Sequence, residues 1–221
     1  MRYAVLFFCC ILAGEVLSQD TTFLKVHFLY GSRPKREFQS TERKWFGGKL
    51  GGHVGLEADA DRIVNFMRSG EFHWFSKRHI RHSRYVAHSA ERFYSIFRYD
   101  SDSVKKAIVY VPITSGQKQK FDSIISAYMT ETPYDYAFFG MRCGAATYEI
   151  LAQLDILRPY SQGKTVRRIF YPRRLRKRIF RIAGENGWRV ERAGGSTTRW
   201  WERDLQEIPV GRPSAKPVAA R

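Results

Sequence analysis

A single cysteine in front of a helical pattern constrains this chain most strongly. Cys143 follows a glycine-bearing loop that starts at Tyr134. Apolar residues at helical spacing come after it: Ala146, Ile150, Leu151 and Leu154. A thiol at the first turn of a helix faces unpaired N–H groups and the positive end of the helix dipole, which favour the thiolate. The stretch predicts either a reactive thiol or a buried structural cysteine, and the presence of a base decides between them.

The first eighteen residues predict an export signal. Arg2 precedes an apolar run from Ala4 to Ala13, and small residues near Ser18 suit cleavage there. The other two cysteines lie inside this run, so cleavage leaves Cys143 as the only thiol of the mature chain. We therefore expect an exported protein, periplasmic or secreted, without an internal disulfide framework.

Composition permits one domain and predicts anionic partners. With 221 residues and 43% hydrophobic content, the chain can build a core and still carry an appendage. The formal net charge of +17 predicts attraction to nucleic acid, anionic lipid headgroups, lipopolysaccharide or acidic wall polymers. The export signal argues against an intracellular role on nucleic acid.

A predicted hairpin supplies a base for the thiol. His53 follows a glycine-rich segment and begins one strand, and Asn65 lies on the return strand. In a cysteine hydrolase an imidazole takes the thiol proton, and a third polar group orients the imidazole. We also expect strands at 23–30 and 107–113 and an amphipathic helix at 117–131.

Residues 68–103 contain four further histidines and many arginines. The spacing of His79 and His82 is typical of metal ligands, but no cysteine or carboxylate pair in the sequence completes a set of four. We interpret this region as basic, solvated surface, and we expect no metal and no cofactor.

The composition shifts after residue 157. Between Arg158 and Ala183 there are ten Lys or Arg and no acidic residue, and residues 173–183 have a helical pattern. An amphipathic helix with a solvated basic face is favoured, and a polyanion or anionic membrane surface is the alternative. The candidate basic residues are Arg174, Lys177, Arg178 and Arg181. The predicted organisation is a signal peptide at 1–18, a catalytic domain at 19–157, a basic extension packed on it at 158–208, and a flexible tail at 209–221.

Two sets of short motifs resemble a known superfamily. One set is Thr132-Pro133-Tyr134, Gly140 and Cys143-Gly144-Ala145, and the other is His53-Val54-Gly55-Leu56. Together they resemble the NlpC/P60 superfamily of papain-like cysteine peptidases, in its circularly permuted branch, because the histidine precedes the cysteine. The resemblance covers roughly residues 50–67 and 117–155. It implies an α+β fold in which an antiparallel sheet packs on helices and the cysteine begins a helix.

The resemblance also assigns roles. It makes Cys143 the nucleophile, His53 the general base and later acid, and Asn65 the orienting residue. Glu57 is the substitute for Asn65, because many members have His at that position. Tyr134 matches a tyrosine near the thiol that binds or polarises the substrate carbonyl. The backbone N–H of Cys143, at a helix N-terminus, is the expected oxyanion donor.

Three functions follow as expectations. The first is an exported cysteine hydrolase that cleaves amide bonds of peptidoglycan stem peptides or other envelope substrates. The second is a lipid-directed acyl hydrolase or acyltransferase of the permuted branch. The third is a non-catalytic basic protein that binds envelope polyanions. No obligate protein partner is expected.

Overall fold

The computed structural model describes residues 22–42, 51–77, 79, 81–96 and 101–203. The predicted export signal and the predicted C-terminal tail lie outside these residues. The described part of the chain folds as α+β. None of its helices combines the length and apolarity needed to cross a membrane.

Among the described residues, eight strands form two sheets. The strands are β1 (Thr22–Leu29), β2 (Ser32–Pro34), β3 (His53–Glu57), β4 (Ile63–Arg68), β5 (Ser83–His88), β6 (Lys106–Ile113), β7 (Val190–Ala193) and β8 (Arg199–Trp201). The larger sheet has the order β5-β4-β3-β1-β6-β7, and all of its neighbours are antiparallel. β2 and β8 pair as a separate two-stranded ribbon.

Five α-helices accompany the sheets in the described residues. They are α1 (Ala90–Tyr94), α2 (Ser115–Thr130), α3 (Cys143–Gln153), α4 (Gln162–Arg168) and α5 (Pro172–Asn186). A short 3-10 turn occupies Arg36–Phe38. The strands predicted at 23–30 and 107–113, the His53 hairpin and the helix predicted at 117–131 are confirmed by β1, β6, β3–β4 and α2.

The central strand β1 shows why this sheet has a well-defined inner face. Leu24, Val26 and Phe28 alternate along it and are fully buried in the main hydrophobic core. The helices α2, α3 and α5 contribute to the same core, and α3 is buried along most of its length. A smaller apolar cluster includes Leu29 and Phe93 of α1. The helices α2, α3 and α5 thus cover the same face of the sheet, and α3 is the helix that begins with Cys143.

Capping at α2 also positions α3. Thr114 and Gln117 form a capping box, in which each side chain accepts a hydrogen bond from the other residue's backbone N–H. The side-chain amide nitrogen of Gln117, Nε2, donates a hydrogen bond to the backbone carbonyl oxygen of Leu154 at 2.7 Å. The start of α2 therefore holds the C-terminal end of the cysteine helix.

The basic segment after residue 157 belongs to the same core. α5 confirms the helix predicted at 173–183, and its apolar residues Leu175, Ile179 and Ala183 are buried in the main core. β7 adds an edge strand to the main sheet beside β6. Arg176 is fully buried, forms an ion pair with Glu202 at 2.9 Å and lies 3.7 Å from the ring centre of Tyr30. The positive charge of Arg176 on the buried side of α5 is therefore neutralised by Glu202, the residue that follows β8.

The interpretation of residues 68–103 as solvated surface holds for the exposed arginines of that range but is wrong for its buried positions. Residues 83–88 form strand β5, and Tyr85 is buried in the main core. His73 is only 4% exposed, and the carboxylate of Asp135 accepts a hydrogen bond from Nδ1 of its ring at 2.5 Å. Asp135 lies sixty-two residues further along the chain, so local sequence could not show this partner.

Candidate active site

Cys143 is the first residue of α3. The preceding Arg142 is extended (φ −135°, ψ 168°), so the helix begins at the cysteine. The backbone N–H of Gly144 hydrogen-bonds the thiol, which is a free, buried group. The apolar positions Ala146, Ile150 and Leu151 are buried, as the helical pattern predicted. This packing fixes the direction in which the first turn presents its N–H groups.

Gly144 permits a close contact between two helices. A Cβ at this position would lie 3.1 Å from both the backbone nitrogen and Cα of Pro172, the first residue of α5. Such a contact is tighter than normal van der Waals packing and involves backbone that cannot turn away. The glycine after the cysteine therefore lets α5 begin directly against the first turn of α3.

Gly52 performs a similar task for His53. It has φ +75°, a left-handed conformation that glycine adopts without penalty. A Cβ there would lie 2.1 Å from the carbonyl oxygen of Leu29 on the neighbouring strand. Because Leu29 pairs directly with His53, Gly52 sets the point at which β3 enters the sheet.

The thiol and the imidazole meet. The side chains of Cys143 and His53 form a hydrogen bond, and both residues are buried. His53 uses its Nε2 atom to reach the side-chain oxygen of Asn65 at 3.0 Å. Because Nε2 is engaged in this way, Nδ1 is the nitrogen that remains for the thiol. The structure thus brings Cys143, His53 and Asn65 together in the order thiol, imidazole, amide.

The contacts of Asn65 fix the tautomer of His53. The amide nitrogen of Asn65 donates to the backbone carbonyls of Ile63 and Val86, each at 3.3 Å, and lies 3.2 Å from Nδ1 of His88. Its oxygen is therefore the atom directed at His53, and it accepts a hydrogen bond from Nε2–H. In the neutral imidazole this leaves Nδ1 without a proton and able to accept one from the thiol.

The electrostatics favour charge separation between thiol and imidazole. Burial opposes the thiolate, but the charge and hydrogen bond of His53, the charge of Arg142 and the N–H of Gly144 together lower the pKa of Cys143. Burial also opposes the imidazolium, yet the negative charge and hydrogen bond of Cys143, helped by Asn65, raise the pKa of His53. A thiol with a lowered pKa beside an imidazole with a raised pKa is the pairing that nucleophilic cysteine chemistry needs.

Glu57 lies elsewhere. It is four residues along β3 from His53, roughly 13 Å at the usual rise of a strand. Its carboxylate contacts Lys25 at 2.6 Å and His27 at 2.8 Å on the adjacent strand β1. Burial opposes its charge, but the hydrogen bonds from His27 and Lys25 lower the pKa of Glu57 to about 2. The structure therefore groups Glu57 with β1 and leaves Asn65 as the partner of His53.

Tyr134 lies within an aromatic cluster. Its hydroxyl is 2.8 Å from the hydroxyl of Tyr85, and its ring packs edge-on against Phe66 and Tyr128. Burial raises the pKa of Tyr134 well above its ordinary value. Its hydroxyl is thus engaged with a second buried tyrosine, and the side chain supports the core behind the site.

Tyr136, which the sequence analysis did not single out, is the tyrosine that interacts with the thiol. Burial, and after it the negative charge of Cys143, raise the pKa of Tyr136, while Arg142 hydrogen-bonds its hydroxyl. The ring stacks on Phe66 at a centroid distance of 5.3 Å. The second tyrosine of the Tyr134-Asp135-Tyr136 segment was a visible alternative, but the family motif pointed to the first.

Arg142 was also missed, although it precedes the cysteine directly. Its guanidinium is surrounded by three rings, at 5.3 Å from Phe138, 4.8 Å from Phe170 and 5.2 Å from Tyr171. Such a cation–π cage holds the charge close to the thiol while part of it is shielded from solvent. An arginine next to a candidate nucleophile is a signal that could have been noted from sequence.

The four basic candidates on α5 differ in exposure. Arg174 and Arg181 are exposed, and Lys177 and Arg178 are half-buried. Arg178 donates to the hydroxyl of Tyr160 at 3.1 Å, and Arg181 pairs with Glu185 at 2.9 Å. Only part of this basic face is therefore directed at solvent.

The arrangement as a whole has the parts that acyl transfer requires. These are a thiol with a lowered pKa, an oriented base, a nearby cation and backbone N–H groups at a helix N-terminus. No family model, curated protein or solved structure matches this chain.

Proposed function

We propose that this chain is an exported cysteine hydrolase that cleaves amide bonds of the cell envelope, with peptidoglycan stem peptides as the substrate class. The observation that carries the proposal is the hydrogen-bonded series of Cys143, His53 and Asn65 at the first turn of α3. The resemblance of the motifs to the NlpC/P60 superfamily supports the substrate class. The net charge of +17 suits an enzyme that works among anionic envelope polymers.

Acylation uses the thiol and its base. Nδ1 of His53 takes the proton of the Cys143 thiol, and the thiolate attacks the carbonyl carbon of the substrate amide. Negative charge develops on the carbonyl oxygen, where the N–H groups of the α3 N-terminus stabilise it. The imidazolium then donates its proton to the amide nitrogen, the C–N bond breaks, and the amine leaves a thioester on Cys143.

Deacylation reverses the role of the imidazole. Neutral His53 takes a proton from a water molecule, and the resulting hydroxide attacks the thioester carbonyl. The C–S bond breaks, His53 returns the proton to the thiolate, and the substrate acid is released. Asn65 keeps the imidazole ring in one orientation through both half-reactions.

Alkylation of the thiol tests this chemistry. The rate of iodoacetamide reaction is measured from pH 5 to 9 for the protein, for His53→Ala and for His79→Ala as the matched control, since His79 is exposed. The wild-type thiol should react well below pH 8.5, the region of an ordinary cysteine, because its pKa is lowered. His53→Ala should move the profile to higher pH, because burial then acts without the imidazolium. A wild-type profile near pH 8.5 that His53→Ala leaves unchanged would contradict the enzyme proposal.

Substrate turnover is the second part of the test. Incubation with purified peptidoglycan should release new amino groups, and Cys143→Ser should abolish the release. His53→Ala should lower kcat by about 10²- to 10⁴-fold, the usual contribution of a general base. If Cys143 shows the expected pH profile but the protein releases no amino groups from peptidoglycan, the proposed substrate is excluded. The proposal of a reactive thiol would still stand.

One observation favours a second candidate, a lipid-directed acyl hydrolase or acyltransferase. Four large aromatic side chains form an exposed group, which we call the aromatic patch: Phe72, Trp74, Phe75 and Phe139, exposed by 45%, 59%, 70% and 52%. The four rings contact one another, and contiguous exposed apolar patches mark interaction sites, including membrane surfaces. In this candidate the patch enters the acyl region of an anionic bilayer, whose headgroups complement the basic chain.

The aromatic patch is continuous with the thiol's surroundings. Trp74 packs on Phe138, and Phe139 packs on Phe170, both at ring distances below 6.5 Å. Phe138 and Phe170 in turn contact the guanidinium of Arg142, the neighbour of Cys143. An acyl chain that followed this path would approach the nucleophile.

Vesicle sedimentation separates the two candidates. Vesicles with anionic lipid should sediment the protein and release free fatty acid or a transferred acyl product if the second candidate holds. Trp74→Ser should weaken sedimentation, and Trp200→Ser is the matched control, because Trp200 is 55% exposed on β8. Binding without any acyl product, together with an unreactive Cys143, would instead favour the non-catalytic polyanion-binding protein.

A further inference from the structure

Three side chains that can hold a metal ion meet beside the aromatic patch. The ligand atoms of Glu71, His73 and His82 all lie within 4.8 Å of one another, and this is the one such group found among the described residues. The rings of His73 and His82 are stacked, with centroids 4.6 Å apart. His79, which the sequence spacing had paired with His82, is exposed and outside the group.

Asp135 prepares His73 to act as a ligand. Its carboxylate accepts a hydrogen bond from Nδ1–H of His73 at 2.5 Å and from the backbone N–H groups of Lys77 and His82 at 3.1 and 2.9 Å. A histidine whose Nδ1–H is held by a carboxylate presents Nε2 with a free lone pair. This carboxylate–histidine pairing is the usual support of a metal-bound imidazole.

Two buried nitrogens in the group have no hydrogen-bond partner in the described structure. They are Nε2 of His73 and Nδ1 of His82, and His73 as a whole is only 4% exposed. A buried polar atom without a partner costs free energy, so native proteins rarely keep one. Two such atoms on stacked rings, with a carboxylate beside them, indicate that a ligand completes the group.

Glycine makes room for this arrangement. A Cβ on Gly70 would lie 2.8 Å from Cγ of the His82 ring. The backbone before Glu71 therefore passes directly against the imidazole, which places the Glu71 carboxylate near both rings. Because the Glu71 side chain is exposed, it can move the short distance that coordination requires.

We propose that Glu71, His73 and His82 bind one divalent transition-metal ion, with zinc as the ion that fits the ligand set best. Two imidazoles and one carboxylate form a common three-ligand zinc set, in which water occupies the fourth position. Bonds of about 2.0–2.2 Å place tetrahedral ligand atoms roughly 3.4 Å apart. The ligand atoms of the three residues, which now lie within 4.8 Å of one another, would therefore move slightly closer together when the ion binds. Hard ions such as calcium and magnesium prefer sets made only of oxygen.

The proposed ion lies where two loops join. The carbonyl of His73 accepts the N–H of Phe138 at 2.8 Å, and the carbonyl of Trp74 accepts the N–H of Phe139 at 2.8 Å. These bonds tie the loop that bears the metal ligands to the loop that leads to Cys143. A bound ion would therefore fix the base of the aromatic patch and the approach to α3. The site is independent of the proposed function, since it stands whether or not the thiol is catalytic.

Zinc titration of the full chain, without a histidine tag, tests the proposal. The measurements use a Cys143→Ser background, because a thiol beside an imidazole could itself bind zinc. Calorimetry on protein stripped with a chelator should show one zinc ion per chain. His82→Gln and Glu71→Gln should raise Kd by more than about 100-fold, because each removes a direct ligand and the loss of an outer partner alone costs about 10- to 100-fold. His79→Gln should not change Kd. Replacement by cobalt should give the intense visible bands of four-coordination, and His82→Gln should weaken them.

Thermal unfolding is a second measurement that can contradict the proposal. Zinc should raise the Tm of the Cys143→Ser protein but not that of His82→Gln, because an ion stabilises only a fold that binds it. If His82→Gln does not fold, Glu71→Gln provides the comparison, since Glu71 is exposed. A Kd that is the same for the parent and Glu71→Gln, or that His79→Gln raises equally, would overturn the proposal.

Discussion

The side-chain oxygen of Asn65 lies 3.0 Å from Nε2 of His53, while the nitrogen of the same amide donates to the carbonyls of Ile63 and Val86. The amide therefore cannot turn over without losing hydrogen bonds to two strands. One consequence is that the proton of neutral His53 stays on Nε2. The orientation of the base is thus fixed by the backbone of β4 and β5, outside the immediate surroundings of the thiol.

Asn65→Ala should lower kcat by roughly 10²-fold, with little change in KM, because a base that can turn spends less time in the reactive geometry. The measurement is steady-state hydrolysis with the substrate found for the wild type. Asn186→Ala is the control, since Asn186 is exposed and only donates to Ile182 within α5. Activity of Asn65→Ala within a factor of two of the wild type, in a folded protein, would rule out an orienting role.

Glu57 should make stability depend on pH in acid. The pKa of Glu57 is lowered from about 4.5 in the unfolded chain to about 2 in the fold, so its contribution is present above pH 4.5 and is lost as the pH falls towards 2. Between pH 6 and pH 3 the wild type should lose about 1–2 kcal/mol more free energy of unfolding than Glu57→Gln. Urea unfolding at both pH values measures the difference. Equal losses in the two proteins would show that the ion pair with Lys25 and the hydrogen bond from His27 contribute nothing.

Gly144→Ala should destabilise the fold by about 1–3 kcal/mol, because its Cβ would press on the backbone of Pro172. It should also slow alkylation of Cys143, because relief of the contact moves the first turn of α3. Gly184→Ala is the matched control in α5, where a Cβ meets nothing within 4 Å. That change should stabilise by about 0.5–1 kcal/mol, since alanine is the better helix former. Thermal unfolding of both variants checks the opposite signs.

Arg176→Met should destabilise the protein by about 3–5 kcal/mol, because it leaves the buried carboxylate of Glu202 without its cation. The double variant with Glu202→Gln should recover part of the loss, since it removes the uncompensated charge. Arg174→Met on the exposed side of the same helix should change the free energy of unfolding by less than about 0.5 kcal/mol. Similar effects of Arg176→Met and Arg174→Met would contradict a structural role for the buried pair.

Local patterns in the sequence were sufficient for the main elements and for the pairing of His53 with Asn65, whereas the pairing of Cys143 with His53 was expected only from the family resemblance. The alternation in β1 and the helical spacing after Cys143 depend only on neighbours, so burial could be read from them. His53 and Asn65 could be paired because a hairpin joins them within twelve residues. The α+β architecture follows from these elements, and the finer family assignment rests on the motifs.

Contacts between distant segments could not be read in this way. Asp135 accepts hydrogen bonds from the His73 ring and from the N–H of His82, and Glu202 neutralises Arg176, but neither partner is near in sequence. The group formed by Glu71, His73 and His82 was missed for a different reason, because the spacing of His79 and His82 favoured the exposed His79 as the second ligand. Tyr136 was missed because a family motif favoured its neighbour Tyr134.

The order of the strands in the main sheet has a consequence for how the protein folds. β1 leads the described chain yet lies in the middle of the sheet, where it pairs with β3 and with the much later β6. Such non-local pairing is slow, in the range of about milliseconds to seconds for small domains, because a long loop must close before the contacts form. Until β6 arrives, one edge of an apolar strand stays open to other chains. Mutations in β1 should therefore affect aggregation during folding as well as the stability of the folded protein.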